Sequence, residues 1–124
     1  MKKIIVLLFF VFVLVFTSAC LPSVDETKAT NKMQKMGYIV SIDNASVPAL
    51  IQTQTGKQPL FMISGSKSSS NDVFYAFAFN NMSDAKESIE YIKTWASKKI
   101  SDAQVYQTGK WIYFGTSQGV KDFK

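Results

Sequence analysis

The hydrophobic positions of this chain follow two regimes. From Ile4 to Phe16 they form an unbroken run of thirteen aliphatic and phenylalanine residues, and beyond Cys20 they recur in short segments at strand or helix spacing. Ala29, Met33 and Met36 repeat at three- and four-residue intervals with lysines between them, and Gly37 follows, so the spacing predicts a helix over 27–36. The β-rich run 38–42 ends on Asp43 and Asn44 and predicts a first strand. Ser46 then offers a helix cap, Pro48 suits a first turn, Leu50 and Ile51 are its apolar positions, and Gly56 closes it. Strands are predicted over 59–64 and 73–79, separated by the polar cluster 67–72. Ser83 offers a cap for the longest helix, with Asp84 in its first turn, Ala85, Ile89, Ile92 and Ala96 on one face, and Lys98 and Lys99 at its end. Two last strands, 103–107 and 110–114, flank Thr108-Gly109, the length of a tight turn, and a helical turn over 117–123 closes the chain.

This order, α-β-α-β-β-α-β-β with a terminal turn, predicts an α+β domain. Its β-α-β-β-α-β core resembles the ferredoxin-like arrangement, which implies a small antiparallel sheet with helices on one face, here with an added N-terminal helix and an extra C-terminal strand. Gln54-Thr55-Gly56-Lys57 recurs as Gln107-Thr108-Gly109-Lys110 before an apolar strand. Two copies of ordinary turn chemistry do not make a repeat architecture.

The first twenty residues carry an address. Lys2 and Lys3 form a cationic head, the apolar run follows, and Thr17-Ser18-Ala19 is a small-residue exit, which is the layout of a secretory signal peptide. Thirteen apolar residues fall short of the roughly 18 needed for a spanning helix. Phe16-Thr17-Ser18-Ala19-Cys20 resembles the lipobox of bacterial lipoproteins, with Thr17 where leucine is usual. The resemblance implies cleavage between Ala19 and Cys20, a diacylglyceryl group on the Cys20 sulfur, and retention on the extracytoplasmic side of the cell membrane. The chain then divides into a signal peptide (1–19), a lipidated cysteine with a tether (20–27) and one α+β domain (28–124).

Composition narrows what that domain does. Without Lys2 and Lys3, twelve lysines stand against nine acids, and there is no arginine. A mild lysine excess favours solubility and weak attraction to anionic lipid or wall polymer, and it is not the clustered charge of a nucleic-acid binder. Cys20 is the only cysteine, so the domain is held by packing, not by an internal disulfide. The absence of histidine removes Ser-His-Asp triads, Cys-His pairs and histidine-based zinc sites. No cofactor or metal motif is present, since the acidic positions lack EF-hand spacing and no glycine-rich phosphate loop occurs.

Ser64/Lys67 and Ser83/Lys86 both match S-x-x-K, but with fourteen serines and fourteen lysines chance supplies such spacings, and the companion motifs of penicillin-recognising enzymes are missing. The more informative pattern is aromatic alternation. Tyr75, Phe77 and Phe79 share one face of their strand and Ala76 and Ala78 the other, while Trp111 and Tyr113 share a face of theirs. Pairing of these strands is expected to give one aromatic sheet face, serving either as the surface the helices cover or as a platform for a glycan, peptide or partner protein. The expectation is a membrane-anchored, non-catalytic binding module. An inhibitor or immunity-type protein at the cell surface and a small Ser/Lys hydrolase are the alternatives.

The anchor is directly testable. The mature protein is expected to carry a diacylglyceryl mass and to partition into detergent, and Cys20→Ala is expected to lose that mass; identical unlipidated masses for both would refute lipidation.

Overall fold

A computed structural model describes residues 22–124. Four helices, α1 (Glu26–Lys35), α2 (Ser46–Thr55), α3 (Met82–Lys99) and α4 (Ser117–Phe123), alternate with five strands, β1 (Tyr38–Asp43), β2 (Phe61–Lys67), β3 (Val73–Ala78), β4 (Tyr106–Thr108) and β5 (Trp111–Gly115). The strands form one antiparallel sheet in the order β1-β2-β3-β5-β4, so the domain is α+β. Of the described helices, none is long and apolar enough to cross a membrane.

Local chemistry sets the helix ends. Asp25 caps α1, its carboxylate accepting from the Lys28 N–H at 2.9 Å, and Lys32 and Lys35 occupy the negative last turn. Asp43, at the end of β1, accepts from the backbone N–H groups of Ala45, Ser46 and Val47 at 2.8, 2.9 and 3.0 Å. It therefore caps α2 in place of Ser46. Asn81 caps α3 through the Asp84 N–H at 2.8 Å, displacing Ser83 into the first turn. In both cases a carboxylate or amide just upstream reaches the orphan N–H groups first. Gly56 ends α2 at φ +79°, a left-handed conformation that glycine adopts without strain.

β3 lies at the centre of the sheet and is apolar on both sides. Towards one face point Phe74, Ala76 and Ala78, which pack with Phe61, Ile63, Trp111 and Tyr113 beneath α1 (Ala29, Met33) and α4 (Val120, Phe123). Phe77 and Phe79 belong to the second cluster, with Met62, Ile112 and Phe114 beneath α2 (Ile51) and α3 (Ala85, Ile92, Ala96). The two helices of the βαββαβ core thus share one face. The terminal helices cover the other, which corrects the expectation of helices on one face only, because a central strand apolar on both sides needs cover on both. Each large side chain so buried contributes about 1.5–3 kcal/mol.

The register sets large residues against small ones. Ala76 pairs with Tyr113 and Ala78 with Trp111, so the alanine methyls leave room for the neighbouring rings. Phe123 fits among three aromatics, at ring-centroid distances of 5.1 Å from Trp111, 5.3 Å from Tyr113 and 5.8 Å from Phe74. Strand β4 is shorter than the 103–107 expected, since 103–105 are irregular and only Tyr106–Thr108 pair with β5. Residues 22–25, expected to form part of a tether, are held against the domain. Trp111 Nε1 donates to the Pro22 carbonyl at 2.9 Å, and Val24 packs on the first cluster. A nearly buried indole N–H needs an acceptor, and Pro22 supplies it.

Where α4 meets β3 the backbones nearly touch. A Cβ on Gly115 or Gly119 would overlap the Val73 carbonyl, and Thr116 locks the junction: its N–H donates to that carbonyl at 3.0 Å and its Oγ1 accepts from the Val73 N–H at 3.1 Å. Gly119→Ala is expected to lower stability by about 1–3 kcal/mol, the usual cost of forcing atoms into a filled site. An urea-unfolding midpoint unchanged from the parent would contradict this contact.

Candidate functional site

The aromatic residues singled out from the sequence do not form one platform. Tyr75, Phe77 and Phe79 lie on the α2/α3 side of the sheet, whereas Trp111 and Tyr113 lie on the α1/α4 side. Phe77, Phe79, Trp111 and Tyr113 are buried. The cause is the register of β3 with β5, which places Trp111 and Tyr113 opposite alanines and not beside Phe77. Tyr75 alone stays half-exposed, its ring stacked 4.9 Å from Phe114 and set edge-on to Trp95 at 5.7 Å. Ala19 and Cys20 lie outside the described residues.

Tyr75 borders the stretch of sheet that no described helix covers. On the α2/α3 side, the apolar cluster reaches Met62 of β2 and includes no residue of β1. Beyond it, two rows cross three strands: Ile39, Ser66 and Val73 in one, Ser41, Ser64 and Tyr75 in the other. These residues line a shallow depression of about 230 Å³. Ile39 is 68% exposed, Ser41 and Ser66 are exposed, and Ser64 and Val73 are half-buried. Three hydroxyls that both donate and accept therefore sit between an isoleucine and a tyrosine, with no ionisable carboxylate or amine in the lining. Strand β1 adds a second feature. Among the described residues it pairs only with β2, so its far side is a six-residue sheet edge, whereas the opposite edge, β4, is three residues long.

Two other arrangements are weaker sites. A cleft of about 390 Å³ between the α3–β4 connection and α4 is lined by Asp102, Gln104, Tyr106, Ser117, Lys121 and Lys124 among others, most of them exposed and of mixed charge, with no buried polar group to orient a ligand. The S-x-x-K pairs are not assembled. In β2 the alternation sends Ser64 to the open face and Lys67 to the other, where its Nζ lies 3.6 Å from Asp122 Oδ2. Ser83 and Lys86 are both exposed on α3. Among the described residues, no three His, Cys, Asp or Glu side chains converge as for a metal ion.

A part-buried titratable cluster, Tyr38, Lys67 and Asp122, fastens α4 to β1. Tyr38 Oη donates to Asp122 Oδ2 at 2.8 Å, Gln118 Nε2 donates to Oδ1 at 2.7 Å, and Lys67 Nζ lies 5.2 Å from the centre of the Tyr38 ring. Burial first, then donation to Asp122 and the negative charges of Asp122 and Asp72, push the Tyr38 phenol far above its ordinary value. For Asp122, burial alone would raise the carboxyl, but the Tyr38 and Gln118 hydrogen bonds and the Lys67 charge outweigh it and hold it below the usual carboxylate range. A phenol held this firmly protonated makes a poor general base.

No protein-family model, curated protein or solved structure matches this chain. The open sheet quarter was not legible as a site in the sequence. Its only trace is the alternation of Ile39 with Ser41 and of Ser64 with Ser66, which reads as an ordinary half-exposed strand.

The cluster makes a pH prediction. Asp122 binds its proton less tightly when folded, so its stabilisation is full above an ordinary carboxyl value of about 4 and is lost as pH falls through the depressed folded value. Tyr38 binds its proton more tightly when folded, so its contribution is full below about pH 10 and declines as pH rises towards its raised folded value. Tyr38→Phe is expected to cost about 1.5–3 kcal/mol near neutrality and to flatten the alkaline limb. Asp122→Asn is expected to flatten the acid limb. Parallel stability profiles for parent and variants, measured by urea unfolding across pH, would sink this assignment.

Proposed function

We propose that this chain is a lipid-anchored, extracytoplasmic binding protein without catalytic activity, and that it receives an extended polypeptide segment of a partner along β1 and the open sheet beside it. The lipobox-like Phe16–Cys20 stretch supports the anchor and the location. The observation that carries the binding mode is the juxtaposition, among the described residues, of a six-residue unpaired edge with two uncovered rows of side chains, Ile39/Ser66/Val73 and Ser41/Ser64/Tyr75. A strand added to an edge is held by main-chain hydrogen bonds, while its alternate side chains meet whatever lies on the adjoining face. Here that face offers an apolar contact at Ile39, three hydroxyls and one aromatic edge. Such a surface suits small polar and aliphatic side chains and holds no charge that would select a strongly acidic or basic partner. Exposed edges are usually blunted by lysine, proline or a bulge. Tyr38–Asp43 carries no lysine or proline, and its register with β2 is uninterrupted.

The test is selection of extended peptides from a displayed random library on the mature protein. Selected peptides are expected to slow amide exchange in 38–43 and to lose affinity by about tenfold, or about 1.4 kcal/mol, on Ile39→Lys. Because Ile39 is largely exposed, the thermal midpoint is expected to stay unchanged. Protection confined to the 102–124 cleft, or undiminished binding by Ile39→Lys, would overturn the assignment of β1.

A further inference from the structure

We infer that the end of the sheet from which the chain leads back to Cys20 is a lipid-contacting surface, seated on the membrane leaflet that holds the anchor. The inference rests on the lipoprotein reading and adds an orientation to it. Its starting point is the bond from Trp111 Nε1 to the Pro22 carbonyl at 2.9 Å. Cys20 is two residues before Pro22, and two residues span at most about 7 Å. An acyl group on Cys20 therefore leaves no spacer: whatever surface surrounds Pro22 meets the headgroups.

That surface is the end of the sheet where β1 finishes and β2 and β5 begin, defined by the pairs Asp43–Met62, Phe61–Ala78 and Ala78–Trp111. Three large apolar side chains are exposed there. Leu60 is 47% exposed and its N–H donates to the Ala78 carbonyl, Met82 is 60% exposed in the first turn of α3, and Ile42 is 45% exposed beside Asp43. Strand β4 holds Met82 at the same end, since Gln107 Nε2 donates to its carbonyl at 3.2 Å.

The charges at this end are of both signs and partly compensated. The Asp43 carboxylate is taken up by three backbone N–H groups, and Lys57 lies 3.7 Å from Asp84 and 3.5 Å from Glu87. Asp25 caps α1, Glu26 is half-buried and Lys110 is exposed. Such a mixture gives little attraction to anionic lipid, so the seat is apolar and its strength insensitive to salt. The outer open row then lies away from the bilayer: Ser66 is five residues along β2 from Phe61, about 17 Å at the strand rise.

The experiment uses purified full-length lipoprotein reconstituted in phosphatidylethanolamine/phosphatidylglycerol vesicles, with a single cysteine introduced by Leu60→Cys, Met82→Cys or, in the exposed loop at the far end, Ser69→Cys. Acylation leaves the introduced thiol as the only reactive one. A membrane-impermeant maleimide is expected to label Leu60→Cys and Met82→Cys at least about tenfold more slowly than Ser69→Cys, at every protein-to-lipid ratio and in low or high salt. Equal rates on a protein whose mass carries the lipid overturn the seating and leave the anchor standing. A mass without lipid removes anchor and seating together. Slow labelling that disappears as the protein is diluted in the bilayer overturns the seating in favour of contact with a second copy.

Discussion

The structure depends on a central strand with no polar side. Each of the residues 74 and 76–79 is buried, Phe74, Ala76 and Ala78 facing one way and Phe77 and Phe79 the other. A strand of this kind cannot sit in a sheet with one wet face, because either orientation would strand aromatic surface in water. Both faces must be covered, and among the described residues the first and last helices supply the second layer. α1 and α4 close one side and α2 and α3 the other. The pairing of Ala76 with Tyr113 and Ala78 with Trp111 then lets the sheet fill at native density without a bulge.

The terminal helices are held by specific polar contacts as well as by burial. Tyr38, Lys67 and Gln118 converge on Asp122, Thr116 ties the start of α4 to the start of β3, and Lys32 Nζ donates to the Phe123 carbonyl at 2.6 Å. These bonds join segments far apart in the chain, so they select one arrangement of the two ends over other apolar packings. The exposed ion pair of Lys93 with Glu90, on the surface of α3, adds little by comparison.

Cover on the α2/α3 side is incomplete. The helices there bury Met62, Phe77, Ile112 and Phe114 but leave the β1 side of the sheet open, and the residues under that gap are serines, an isoleucine and a half-exposed tyrosine. A sheet face can stay wet where its side chains are small and hydroxylated, since no buried polar group is left without a partner. The outer row of the gap, Ile39/Ser66/Val73, lies at the end of the strands away from Pro22, and the Ser41/Ser64/Tyr75 row lies at mid-strand. Under the lipoprotein reading, that outer row is kept clear of the anchor without a linker between them.

By itself the sequence determined which segments become helices and strands, because periodicity and turn residues are local properties. The runs around Ala29/Met33, Ile51, Phe77, Ile92 and Trp111 all form the elements their spacing implies. It also carries the signal-peptide and lipobox-like pattern on which the proposed anchor rests, in the Lys2-Lys3 head, the apolar run and Cys20, and it excluded histidine and disulfide chemistry from the domain. Only the tertiary structure decided which face each aromatic residue takes. A shift of one residue between β3 and β5 would have put Trp111 and Tyr113 beside Phe77, and nothing local to either strand chooses between the two registers. The same holds for Pro22, whose carbonyl meets the Trp111 indole across 89 residues. Long-range contacts of this kind depend on how whole layers stack, and the stacking is settled by the volume available between them.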